Sequence, residues 1–236
     1  MHAICGREFG PHRNAVMAHA CRPTTMLEDA ELQDVLAAEH LMSMPALRRR
    51  VWSIEEVEQL VDERPGLTPR YELVDGELLL TPAPTDRHQR IVAELFVLIR
   101  DYVNRLGLGE ARLGPGLARI TADARFEPDL FVVASVDGHR PPADGSITPL
   151  LLVAEVLSPG SGRHDRITKR RFFQRNGVPT YWVVDGDAEA FEIWRPGDER
   201  AALVDDRVTW LPDGAAVAFE LDAPAFFASV ADVTQT

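Results

Sequence analysis

The chain has 236 residues, 45% of them hydrophobic and 26% charged, which suits one soluble globular core with at most a small appendage. A net charge of −12 argues against a broad nucleic-acid-binding face, although a local basic groove is compatible with it. No apolar run approaches the roughly 18 residues of a membrane span, no signal-peptide pattern opens the chain, and Cys5 and Cys21 make no disulfide scaffold, so a cytoplasmic protein is expected.

Residues 1–45 differ from the rest of the chain: they hold both cysteines and four of the seven histidines, and they lack a strand pattern. Cys5, His12, His19 and Cys21 match no zinc template, so this part is expected to be a poorly structured or short-helical leader, with a helix near 27–42. Met42 or Met44 could open the domain, which is expected to span 46–236. Ser53 and Glu56 form a capping box for a short helix with Val57, Leu60 and Val61 as its apolar stripe; Pro65 and Gly66 end it. Tyr71 to Leu80 reads as a hairpin turning on Asp75-Gly76. Glu72 lies one residue inside it, either as a solvent-facing acid or as an extra carboxylate beside a metal.

After Pro82 and Pro84, a long helix is predicted from Ile91, Val92, Leu95, Phe96, Ile99, Tyr102, Val103 and Leu106, stopping at Gly107. His88 is on its stripe, as a packing residue or as a group that reaches a phosphate from the helix start. Segments 109–113 and 117–120 read as strands of a meander. Leu130 to Ala134 and Leu150 to Leu157 are apolar runs typical of central strands. Asp129 opens the first, and Glu155 interrupts the second.

A bare carboxylate in a buried strand costs several kcal/mol unless it is paired, protonated or metal-bound. Either an arginine partner or a hard cation, which prefers oxygen ligands, would satisfy Glu155. If the two strands are adjacent, Asp129 and Glu155 converge on one cation. The helix predicted over 163–175 puts Asp165 and Lys169 on one face and carries Arg163, Arg166 and Arg170, a basic reversal in an acidic chain that suits a phosphate-facing patch or a solvated face. Further strands are predicted at 180–184, 191–194, 201–204, 208–211 and 217–221, with a short helix around 223–230. A serine hydrolase built on Ser158 and His164 is disfavoured, because Pro159 comes directly after the serine and the Gly-x-Ser-x-Gly elbow is missing.

These pieces, in this order, resemble the Uma-two family of restriction-endonuclease-like proteins, within the PD-(D/E)XK nuclease superfamily. The matching stretches are Tyr71 to Glu77, Arg87-His88-Gln89, Pro128-Asp129, Val153 to Pro159, Asp165 to Lys169, and Gly177 to Asp185. The resemblance implies an α/β restriction-endonuclease-like core: a mixed central β-sheet flanked by α-helices, here with additional C-terminal strands. It implies that Asp129 and Glu155 bind Mg²⁺ or Mn²⁺. Leu157 occupies the superfamily's usual lysine position, and Lys169 fits a lysine migrated to the following helix; Phe173 stands where a tyrosine is expected. The expected function is metal-dependent phosphodiester hydrolysis, most readily of DNA, with Asp129, Glu155, Lys169, Glu72 and His88 catalytic and Arg163, Arg166 and Arg170 on the nucleic acid. A homodimer would suit a fold that pairs to cut two strands. The alternative is an inactive nuclease-fold module that binds nucleic acid or protein.

Overall fold

The computed structural model describes residues 51–63, 69–81, 83–115, 118, 120–139 and 149–231. The leader, its Cys/His cluster and its expected helix lie outside the described residues. Helix α1 (Ile54–Glu63) opens on the expected capping box: the Ser53 N–H donates to Glu56 Oε2 at 2.9 Å and the Glu56 N–H to Ser53 Oγ at 3.2 Å. Strands β1 (Arg70–Val74) and β2 (Glu77–Thr81) pair through a turn in which Asp75 and Gly76 both take positive φ, 50° and 78°, as a two-residue hairpin requires. Helix α2 (Asp86–Leu106) starts on Thr85, whose side chain accepts the His88 N–H, and stops at Gly107 in the left-handed conformation.

The central sheet runs in the order β3 (Gly109–Leu113), β4 (Leu130–Ala134), β5 (Leu150–Val156), β6 (Tyr181–Asp185), β7 (Ala190–Trp194), β8 (Ala202–Val204). Every pairing is antiparallel except β5–β6, which is parallel. The parallel pair needs a crossover, supplied by a π-helical turn (His164–Lys169) that runs into α3 (Arg170–Arg175). This mixed sheet with flanking helices is the architecture expected from the sequence. The additional C-terminal strands are β9 (Arg207–Trp210) and β10 (Phe219–Asp222), a separate hairpin, followed by α4 (Ala223–Ser229).

Of the strand expected over 117–120, the described Ala118 bridges Phe126, and positions 117 and 119 lie outside the described residues. One expectation needs correction. The helix expected over 163–175 is π-wound over His164–Lys169. Among the described residues, no helix is long and apolar enough to cross a membrane.

Alternation splits the core in two. Leu130, Val132, Leu152, Ala154, Val156, Trp182 and Val184 face α2, β9, β10 and α4. Phe131, Val133, Val153, Tyr181 and Val183 face the β1–β2 hairpin and α3, where Phe172 and Phe173 pack with Phe126. Glu155 belongs to this second face by strand parity.

Candidate active site

Asp129 and Glu155 come together because β4 and β5 are antiparallel neighbours. Leu130 pairs with Ala154, so the next step of the register puts Asp129 opposite Glu155. The Asp129 N–H donates to Glu155 Oε2 at 3.3 Å, and the Val156 N–H donates to Asp129 Oδ2 at 3.0 Å. Each acid therefore leans on the other's strand. The hairpin adds Glu72 and Arg70, the start of α2 adds His88, and the π-helical turn adds Asp165 and Lys169.

Lys169 is the centre of one half. Its Nζ lies 2.7 Å from Glu72 Oε2, 2.9 Å from Glu155 Oε1 and 3.2 Å from Asp165 Oδ1. Burial alone would push this ammonium's pKa down, but Glu155, Glu72 and Asp165 outweigh it and hold it well above the usual lysine value. Lys169 is therefore a permanent cation. Glu72 is fully buried, not solvent-facing: its other oxygen accepts the Glu127 N–H at 3.0 Å, and Thr81 Oγ1 donates to Oε2 at 3.3 Å. It lies beneath Lys169, whose ammonium it contacts.

Asp129 is the centre of the other half. Arg70 donates to Oδ1 at 2.9 Å and to the Glu127 carbonyl at 3.0 Å, while His88 Nε2 stands 2.9 Å from Oδ2. Burial pushes the Asp129 carboxyl up. The His88 hydrogen bond and charge, the Arg70 charge and the Val156 N–H together overcome that and hold it at about 2. Glu155 goes the opposite way: burial, reinforced by Asp129, Asp165 and Glu72 and only partly opposed by Lys169, raises it well above the ordinary carboxylate range. Divergent carboxyl pairs of this kind occur at functional sites and in structural ion-pair networks alike.

Sequence reasoning brought together Asp129, Glu155, Lys169, Glu72, His88 and Asp165, and the structure places all six in one cluster. It missed Arg70, although Arg70 and Glu72 are two apart on one strand and so share a face. It also missed Tyr181, whose hydroxyl donates to the Asp165 carbonyl at 3.0 Å; burial first, then the surrounding acids, keep that hydroxyl protonated. Phe173 packs against Tyr181 with ring centroids 4.9 Å apart. The basic residues are less free than their sequence suggests. Arg166 is held by Asp185 and Glu192, and Arg170 stacks on Trp194 at 4.5 Å, whereas Arg163 is exposed.

A hard divalent cation would find carboxylate oxygens of the kind it prefers in the cluster. Four carboxylates (Glu72, Asp129, Glu155, Asp165) face two fixed cations (Arg70, Lys169), and the like charges that raise Glu155 would be relieved by a further positive charge. Among the described residues, no group of three or more His, Cys, Asp and Glu side chains is arranged to hold a metal. Mg²⁺ commonly needs only one or two carboxylates, completing its octahedron with water and substrate phosphate.

The Uma2 family model, described as "Putative restriction endonuclease", matches residues 54–230. The chain belongs to the Uma2 family. The matched region spans α1 through α4 and so contains every residue of the cluster. A crystal structure described as that of a putative nuclease belonging to DUF820 from Anabaena variabilis ATCC 29413 aligns with a TM-score of 0.59 and 20% identity, over 69% of this chain and 92% of that one. At that identity the likeness concerns the fold. None of the curated proteins matches this Uma2 chain.

Proposed function

We propose that this Uma2 protein is a cytoplasmic metal-dependent nuclease that hydrolyses phosphodiester bonds in DNA. The observation that carries this reading is the convergence of Asp129 and Glu155 from adjacent strands beside a buried, permanently charged lysine. Mg²⁺ or Mn²⁺ held by these two acids would polarise the phosphate and lower the pKa of a water it carries. Lys169 orients the attacking water or stabilises the charge that grows on the phosphate. Asp165 and Glu72 hold Lys169 in place. His88 and Arg70 fix the orientation of Asp129. Arg163, exposed at the start of the π-helical turn, is suited to a flanking phosphate. Cutting both strands of a duplex calls for two such sites, which a homodimer supplies.

The rival reading is an inactive module on the same fold. What favours it is that Glu72, Asp129, Glu155 and Asp165 are each less than a tenth exposed and all make internal hydrogen bonds or ion pairs. A thermal melt with and without Mg²⁺ or Mn²⁺ separates the two, since a ligand of the native state raises its stability. The nuclease reading expects a cation-dependent rise in Tm and DNA cleavage in wild type, both lost in Glu155→Ala. Cleavage that survives chelation, or that persists in Asp129→Ala and Glu155→Ala, would overturn it.

A further inference from the structure

The π-helical turn is the least ordinary element of the fold. Such turns are rare and are frequently found at functional sites. This one spans six residues and begins and ends close to the site: Asp165 and Lys169 both lie on it. If it relaxed by one residue, everything after it would rotate by about 100° around the helix axis. Lys169 would then leave the carboxylates it holds. Something outside the turn must keep it wound.

Its backbone does part of this. The Arg170 N–H donates to the carbonyls of Asp165 and Ile167 and passes over that of Arg166. The Arg166 carbonyl instead accepts the Arg170 Nε at 2.9 Å. Tyr181 pins the Asp165 carbonyl from β6. The side chain of Arg166 supplies the remaining link. Its Nε donates to Glu192 Oε1 at 2.6 Å and its Nη2 to Asp185 Oδ2 at 2.8 Å. Asp185 is itself fixed, because its Oδ1 accepts the N–H groups of Asp187 and Ala188 at 3.0 and 2.9 Å.

The register makes this anchor informative. Val183 on β6 pairs with Glu155 on one side and with Glu192 on the other. Glu155, Val183 and Glu192 therefore form one row across the sheet and point to the same face. Arg166 grips one end of that row, and Lys169, three residues later, grips the other. The turn is thus located against the same row that carries the acid its lysine must meet.

We infer that Arg166 is a positioning residue: through Asp185 and Glu192 it holds the π-helical turn so that Lys169 meets Glu155. This rests on the nuclease reading for its catalytic consequence, but not for its geometry. It differs from direct phosphate contact, the role its charge alone suggests, because its Nε and Nη2 donate to two carboxylates of the protein.

Two variants test it: Arg166→Met, and the pair Asp185→Asn with Glu192→Gln. The asparagine side chain of the pair keeps an amide oxygen to accept the N–H groups of Asp187 and Ala188. The expected result is that each variant lowers kcat on DNA by about 10- to 100-fold, the range a small misplacement of a catalytic group produces. KM and the salt dependence of DNA binding stay unchanged, and combining the variants adds little. The side-chain NMR signal of Lys169, assigned by its loss in Lys169→Arg, shifts or broadens in both. Weaker DNA binding in Arg166→Met with a salt slope reduced by about one and kcat intact would make Arg166 a phosphate contact and overturn the inference. Tighter DNA binding in the carboxylate pair with kcat intact would do the same, by showing Arg166 released toward DNA. If wild type cleaves nothing, the nuclease reading falls on its own, and the Lys169 signal decides: one that does not move in either variant overturns the positioning role.

Discussion

The two faces of the central sheet solve burial in opposite ways. On the α2 face, Tyr102, Trp182, Phe191, Trp210, Phe219, Phe226 and Phe227 fill the space ring against ring, with centroids 5.1–6.3 Å apart. On the α3 face, Phe126, Phe172, Phe173 and Tyr181 make a smaller apolar cluster beside the buried Glu72, Glu155, Asp165 and Lys169. One face gains stability from area and close packing, whose loss is local. The other is a set of mutually dependent charges, where removing one member leaves the rest uncompensated.

Breaking the charged face at its centre should have the largest effect. Lys169→Met leaves three buried acids without their cation and is expected to lower unfolding stability at pH 7 by about 3–5 kcal/mol in urea denaturation. A loss below about 1 kcal/mol would mean that the acids do not depend on it. On the packed face, Leu95→Ala removes a fully buried side chain from α2 and should cost about 3 kcal/mol. Its rise in Tm with Mg²⁺ should stay like that of wild type; a lost rise would show that the faces are coupled.

The third test probes the charged face by pH. Asp129 sits at about 2 when folded, below its ordinary 3.8. Its contribution is therefore present above pH 4 and lost as pH falls toward 2, about 2 kcal/mol in all. Denaturant midpoints across this range should fall less in Asp129→Asn than in wild type. Lys169 is raised above 10.5 and so has the opposite sign: its contribution holds up to that pH and is lost only as pH climbs further. The smallest effect belongs outside both faces. Arg207 and Glu220 pair across β9 and β10 at 3.0 Å with both side chains more than half exposed, and Arg207→Ala should change stability by less than about 0.5 kcal/mol in the same denaturation assay.

Asp129 and Glu155 were legible because an acid at or inside an apolar strand contradicts its surroundings and demands a partner. The four-residue spacing put Lys169 on one helix face with Asp165, and its place in the site came from the resemblance to the family. Glu72 was harder. Alternation in a hairpin says which residues share a face but not which face is covered, and here α3 and the crossover cover the one that carries Glu72. Arg70 was missed because an arginine at a strand's first residue is ordinarily solvated. The π winding leaves no periodic trace either, since it is held by Tyr181, Asp185 and Glu192 from strands β6 and β7.

The site is also a record of chain assembly. Arg70 and Asp129 are 59 residues apart, and Glu72 reaches the Glu127 N–H across 55. Contacts of such long separation close late, because the entropy of the intervening loop must be overcome first. Within the β1–β2 hairpin Glu72 meets only Thr81, whereas the Glu127 N–H and the Lys169 ammonium reach it once the chain through the crossover has been laid down. A nascent chain or a nicked fragment lacking that crossover therefore carries the acids without their lysine, so the charge cluster is complete only in the finished fold.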